Sequence, residues 1–112
     1  MIQRKHGCSG IRIFRIGRRQ IELWFCPRGM VIPDHVHENI DVTLVILGGK
    51  MDGKIGDRSG RVGWSDMFRR FVVMANTVHS ARIVGPFCLF ASCEKWKDGV
   101  EVTSAATDFV GP

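Results

Sequence analysis

The chain has 112 residues, close to the commonest size of a single domain, and its 45% hydrophobic and 24% charged residues are typical of an ordinary soluble globular protein. No segment approaches the ~18 apolar residues that a membrane-spanning helix needs, and the basic N-terminus lacks a signal-peptide core, so we expect one cytoplasmic domain over residues 1–112. The formal net charge of +5 would suit an acidic partner or nucleic acid, but the arginines are scattered and no RNA-recognition or helix-turn-helix pattern is present, which disfavours nucleic acid.

Isoleucine, valine and phenylalanine occur in short runs separated by glycine, proline, asparagine and aspartate, which predicts an all-β protein. The predicted strands are 11–16, 20–26, 41–47, 50–56, 70–74, 79–84, 87–92 and 99–103. We expect at most one helical turn, in the segment GWSDMFRR at 63–70, and we expect Gly48 and Gly49 to end the strand before them. Many short strands at this spacing indicate a sandwich or a barrel.

The four cysteines, Cys8, Cys26, Cys88 and Cys93, have none of the two-residue spacings of a zinc knuckle or redox motif. In an intracellular protein we expect them to be mostly reduced thiols.

Two histidines, His35 and His37, are separated by one valine. If this stretch is a strand, both imidazoles point to one face. Asp41, at the start of the next predicted strand, could add a carboxylate, and it ranks above Glu38, which by strand parity points away. Two imidazoles and a carboxylate suit Fe, Mn, Ni or Zn.

A third imidazole, that of His79, stands at the head of a distant predicted strand and would complete a three-histidine, one-carboxylate set. The remaining histidine, His6, lies in the basic N-terminal segment and has no such context. Three of the four histidines therefore occur where one site could gather them.

The spacing of these residues resembles the first motif of the cupin superfamily. Gly29 is followed by five residues, His35-Val36-His37, three residues, Asp41, six residues and Gly48, with aspartate where the family usually has glutamate. The second motif is matched by "MANTVH", in which Met74 and Asn76 replace the usual proline and glycine before His79. Asparagine tolerates the left-handed turn conformation that glycine adopts there.

The resemblance, which covers about residues 11–95, implies a small antiparallel jelly-roll barrel, or double-stranded β-helix, with a metal ion in its mouth. It implies His35, His37, Asp41 and His79 as ligands, with Asp41 binding directly or through a water.

Four further side chains are candidates for the substrate pocket. Trp24 and Cys26 share a strand face with Glu22, and Asn39 and Thr43 share the parity of Asp41.

Cupins include dioxygenases, isomerases, lyases and non-catalytic sensors, so the fold does not decide the function. Our first hypothesis is a metal-dependent enzyme acting on a small organic molecule, with oxygenation slightly ahead of isomerase or lyase chemistry. The alternative is a non-catalytic cupin that binds a metal or small ligand. In either case we expect a homodimer with a small-molecule ligand and no membrane partner.

Overall fold

The computed structural model of the protein describes residues 2–103 and 109–111. Its strands are β1 (Ile2–Lys5), β2 (Cys8–Ile16), β3 (Arg19–Pro27), β4 (Val31–His37), β5 (Ile40–Ile55), β6 (Arg58–Val62), β7 (Arg70–Val73), β8 (His79–Trp96) and β9 (Phe109–Val110). All the pairings between them are antiparallel. One 3-10 turn, Trp64–Asp66, connects β6 to β7. The prediction of an all-β chain is confirmed, and the 3-10 turn lies within the segment 63–70 that was expected to form one.

Strand β8 organises the sheet, because its 18 residues pair with three neighbours. Its beginning, residues 79–82, lies between β4 and β5, and the part from 87 to 95 lies between β3 and β5. Beyond β3 the sheet continues through β2 to β1, while β6 and β7 pair with β5. The first residue of β8 therefore faces the end of β4, where two histidines stand.

Two long strands of the structure each correspond to a pair of predicted strands. Strand β5 corresponds to predicted strands 41–47 and 50–56, and β8 contains 79–84 and 87–92. The prediction that Gly48 and Gly49 end a strand is wrong. The register shifts before Gly48 and after Gly49. The φ of Gly49 is +90°, and a Cβ there would lie 2.0 Å from the carbonyl oxygen of Phe87. The glycines thus bend a continuous strand that packs closely on β8.

Other boundaries also differ from the prediction. Residues 99–103 were predicted to be a strand but do not form one. Conversely, β1 and β6 are strands that were not predicted. Among the described residues, no helix has the length and apolar character needed to cross a membrane.

Two apolar clusters fill the interior. The first contains Cys8, Trp24, Cys26, Ile46, Met51, Ile83, Cys88 and Phe90, and the second contains Ile40, Val42, Val73 and Trp96. The alternation predicted for strand 20–26 is confirmed at Glu22, Trp24 and Cys26, which all point inward and are 8% exposed or less.

The expectation of reduced cysteines is wrong for one pair. Cys8 and Cys26 form a disulfide between β2 and β3, with their Cα atoms 4.4 Å apart. The neighbouring register pair, Ser9 with Phe25, sets the two cysteines opposite each other. Cys88 and Cys93 are free thiols.

Candidate metal centre

Three histidine side chains meet inside the sheet, two from the end of β4 and one from the start of β8. One ring nitrogen of each of His35, His37 and His79 lies within 4.8 Å of the others. His35 and His79 are opposite each other in the β4–β8 ladder, and their ring centroids are 3.9 Å apart. The ring of His37 lies 5.1 Å from the first and 5.3 Å from the second. The strand parity of the His-x-His segment thus places both of its rings on one face.

Backbone carbonyl groups fix the tautomer of two of the three rings. Nδ1 of His35 lies 2.8 Å from the carbonyl oxygen of Pro33, and Nδ1 of His79 lies 3.0 Å from that of Thr77. Because a carbonyl oxygen only accepts hydrogen bonds, each Nδ1 carries the proton and donates it. The lone pair of each ring is therefore on Nε2, which is the arrangement that metal-ligating histidines use.

The environment also favours the uncharged form of these rings. Burial, opposed by the hydrogen bond to Pro33 and aided by the neighbouring histidines, lowers the pKa of His35 to about 3. Burial likewise lowers the pKa of His79, again against a backbone hydrogen bond. Both rings are neutral at pH 7, and neutral imidazole is the form that binds a metal ion. The donor set therefore fits a divalent transition metal.

Asp41, the fourth predicted ligand, lies outside the group of three rings. Its Oδ1 accepts a hydrogen bond of 2.8 Å from the backbone N–H of Ala75, in the loop that leads to His79. The next residue of that loop, Asn76, has the left-handed φ of +66° expected from the sequence, and its N–H donates to the carbonyl oxygen of His37. In this structure Asp41 is a positioning residue for the loop, and its role as a ligand stays a prediction.

A cavity of about 670 Å³ opens beside the three rings, a volume within the range of small-molecule sites. Its apolar walls include Trp24, Phe90, Leu44 and Phe71. The structure thus brings Trp24, a predicted pocket residue, to the cavity.

The other predicted pocket residues lie elsewhere. Cys26 is fully buried in the disulfide, and Thr43 is on the face of β5 opposite to Val42, which does line the cavity. Asn39 precedes β5, and its carbonyl oxygen accepts a hydrogen bond from Lys97. In the first part of β5 the even-numbered residues Val42 and Leu44 face the cavity. Odd-numbered residues such as Asp41 and Thr43 point to the other face of the strand.

His6, which had no context in the sequence, lines the same cavity. It occupies the turn between β1 and β2, where His6 and Gly7 have φ values of +52° and +79°. A two-residue turn ending in glycine between two strands is a recognisable hairpin signal. Recognising this hairpin in the sequence would have placed His6 beside the sheet.

A pair of buried carboxyl groups lies next to the cavity wall. Glu22 on β3 is opposite Ser92 on β8, and Ser92 lines the cavity. Glu22 is 0% and Glu94 2% exposed. A side-chain hydrogen bond joins Glu94 to Glu22, and no N–H group donates to Oε1 of Glu22 or to Oε2 of Glu94. Two buried like charges repel each other, so a proton on Glu94 stabilises this arrangement.

Amide side chains bind the outer oxygens of this pair. Nε2 of Gln20 donates to Oε1 of Glu94 at 2.9 Å, and Nε2 of Gln3 donates to Oε2 of Glu22. Burial first, then the hydrogen bond and charge of Glu22, raise the pKa of Glu94 to about 10, against the opposing effect of Gln20 and the Arg15 charge. Glu94 is therefore protonated at neutral pH.

No protein-family model matches the chain, and no curated protein is similar to it in sequence. Solved structures do match. KdgF from Halomonas sp. is 18% identical with a TM-score of 0.75, and the match covers 88% of each chain. The cupin domain of Cnp3 from Schizosaccharomyces pombe is 14% identical with a TM-score of 0.74, over 87% of this chain and 69% of that one. A predicted oxalate decarboxylase from Thermotoga maritima is 12% identical with a TM-score of 0.70, over 80% and 81%.

The protein thus has the cupin fold, the double-stranded β-helix that the histidine motif predicted. At these identities the likeness is one of fold. The three histidines of this fold could hold a metal ion.

Proposed function

We propose that the protein is a metal-dependent cupin that acts on a small organic molecule. The observation that carries this proposal is the group of three histidine nitrogens within 4.8 Å, which faces a cavity of ligand size. A site of this kind has a metal-binding position next to a substrate cavity, as catalytic metal sites with an open coordination position do.

The ion would be Fe, Mn, Ni or Zn, held by the Nε2 atoms of His35 and His79 and by a ring nitrogen of His37. Such an ion supplies Lewis-acid chemistry and, for iron, redox chemistry. Three protein ligands leave coordination positions open, and we rank oxygenase-like chemistry slightly ahead of isomerase-like or lyase-like chemistry.

The chain's own groups would prepare this site before any substrate arrives. The carbonyl groups of Pro33 and Thr77 hold two imidazoles in the ligating tautomer, and Asp41 fixes the loop before His79. Trp24 and Phe90 provide apolar walls that exclude water from the bound molecule. The expected homodimer and cytoplasmic location stay predictions.

One observation favours a second function, that of a non-catalytic cupin that binds a small ligand. Within the described part of the chain, no aspartate or glutamate side chain lines the cavity, and the sequence contains no tyrosine. General acid–base steps most often use such groups or histidine. A protein that only senses a ligand would have no need of them.

The test is elemental analysis of protein purified without an affinity tag, before and after incubation with Fe²⁺, Mn²⁺, Ni²⁺ or Zn²⁺. We expect about one ion per chain, and none in the His37→Ala variant. His6→Ala is the matched control, because His6 lines the cavity but lies outside the group of three rings. Circular dichroism would verify that each variant remains folded.

Absence of metal from the wild-type chain, or one ion per chain in His37→Ala, would refute the proposed site. Substrate-stimulated O₂ uptake or turnover across a small-molecule panel would distinguish the enzyme from the ligand-binding protein.

A further inference from the structure

Arg58 belongs to the same cross-strand row as two of the histidines. The register pairs His35 with His79, His79 with Ile55, and Ile55 with Arg58, across β4, β8, β5 and β6. Residues directly opposite each other in antiparallel strands point to the same face. Arg58 is therefore directed to the cavity side of the sheet, and it lines the cavity.

The charged side chains that line the cavity all have one sign. They are Lys5, Lys54, Arg58, Arg69 and Arg70, and no acidic residue of the described chain is among them. Lys5 is opposite the cavity-lining Cys8, which turns it to the same face. A cleft lined by one sign of charge concentrates ions of the opposite sign.

Arg58 is available to a ligand, whereas its neighbour Arg61 is engaged elsewhere. Nε of Arg61 donates to Asp52 at 2.7 Å, and this pair does not line the cavity. Arg58 forms no ion pair with any acidic side chain in the described residues. The two arginines are three residues apart on one strand, so they point to opposite faces.

The distance along the row suits a small molecule. Neighbouring strands are about 4.8 Å apart, so two spacings put the Cα of Arg58 roughly 10 Å from that of His79. Both side chains project from the same face of the sheet, so a molecule a few carbon atoms long can reach from one to the other. Trp24 and Phe90 offer an apolar surface to the same molecule.

We infer that the ligand of this cavity is a small organic acid, a mono- or dicarboxylate, whose carboxylate group is bound by Arg58. Guanidinium and carboxylate form paired, charge-assisted hydrogen bonds, which makes arginine the preferred partner of such a group. The inference names the substrate class of the proposed function and shares its cavity, but the selection for negative charge does not depend on a bound metal.

The experiment measures binding of matched acids and amides by ligand-observed NMR and calorimetry. The probes are mono- and dicarboxylates of up to about ten carbon atoms and their primary amides, such as benzoate with benzamide and succinate with succinamide. The proteins are the wild-type chain, Arg58→Gln and the control Arg61→Gln, each freed of metal with EDTA. Metal content of separate, untreated samples is counted in parallel.

We expect at least one acid to bind more tightly than its amide, and sodium chloride to weaken this preference. Arg58→Gln should weaken binding of that acid roughly ten- to hundred-fold, as for loss of a charge-assisted hydrogen bond, and binding of the amide by less than about three-fold. Arg61→Gln should change neither by more than about three-fold.

Equal binding of every acid and its amide, no binding by any acid, or a preference for the acid that survives Arg58→Gln would overturn the inference. If the acid preference is lost in Arg58→Gln while no sample holds metal, the proposed metal-dependent function fails and the inference stands. If metal is present but the acid preference is absent, the inference fails and the proposed metal-dependent function stands.

Discussion

Replacing Glu94 with glutamine tests whether the buried acid pair holds a proton at neutral pH. Glutamine has nearly the shape of protonated glutamic acid and offers an N–H donor where that acid offers its O–H. It can keep the hydrogen bond to Glu22 and the one accepted from Gln20. Glu94→Gln therefore removes the titration of residue 94 while leaving its packing in place.

The expected magnitude follows from the raised pKa of Glu94, about 10 in the folded chain against an ordinary value of 4.5. Between these values the unfolded chain releases a proton that the folded chain retains. The resulting stabilisation is fully present below pH 4.5 and is lost as the pH rises toward 10. The loss is about 1.4 kcal/mol in the free energy of unfolding per pH unit. From pH 7.5 to 8.5 the wild-type chain should thus lose about 1.4 kcal/mol that Glu94→Gln does not lose.

Urea unfolding at pH 7.5, 8.0 and 8.5, with EDTA present and the disulfide intact, measures both slopes. Contributions from the other titrating groups are common to both proteins and cancel in the difference between their slopes. Glu101→Gln, which alters an exposed carboxylate, is the control and should keep the wild-type slope. Equal slopes in wild type and Glu94→Gln would refute the protonation of Glu94 at neutral pH.

Two further substitutions test the site and the bend in β5. Asp41→Asn keeps an oxygen that accepts from the N–H of Ala75, so metal affinity measured by competition with a chelator should stay within about three-fold. A loss of about ten-fold or more would show that the carboxylate contributes more to metal binding than this hydrogen bond. Gly49→Ala should destabilise the chain by at least about 3 kcal/mol in urea unfolding, because a Cβ at φ +90° meets the carbonyl oxygen of Phe87. Gly17→Ala, at φ +59° with no atom within 4 Å of the added Cβ, should cost only about 1 kcal/mol, and an equal loss in the two variants would contradict the close approach.

The sequence was sufficient for the fold and for the histidines, because both are encoded locally. Alternation separates the two faces of strand 20–26, although the structure is needed to show that the face of Glu22, Trp24 and Cys26 is the inward one. The proximity of the His35 and His37 rings follows from strand parity. His79 required the motif resemblance, since only the pairing of β8 with β4 brings it near.

The features that the sequence did not reveal depend on register between distant strands. The pairing of β3 with β8 unites Glu22 with Glu94, and that of β2 with β3 joins Cys8 to Cys26. Strand β6 was missed because its residues are exposed or only partly buried, which leaves no apolar alternation to detect. With β6 unassigned, Arg58 could not be placed on the cavity.

The Cys8–Cys26 disulfide tethers one side of the cavity covalently. Strand β1 lies at the edge of the sheet, joined to it through β2, and Lys5 and His6 stand at the end of this edge. The disulfide fastens β2 to β3, the strand that carries Trp24, so the cationic edge and the aromatic wall are held at a set distance. In the reduced chain, backbone hydrogen bonds and side-chain packing alone would maintain that distance. The disulfide thus limits how far the β1–β2 edge can separate from the aromatic wall of the cavity.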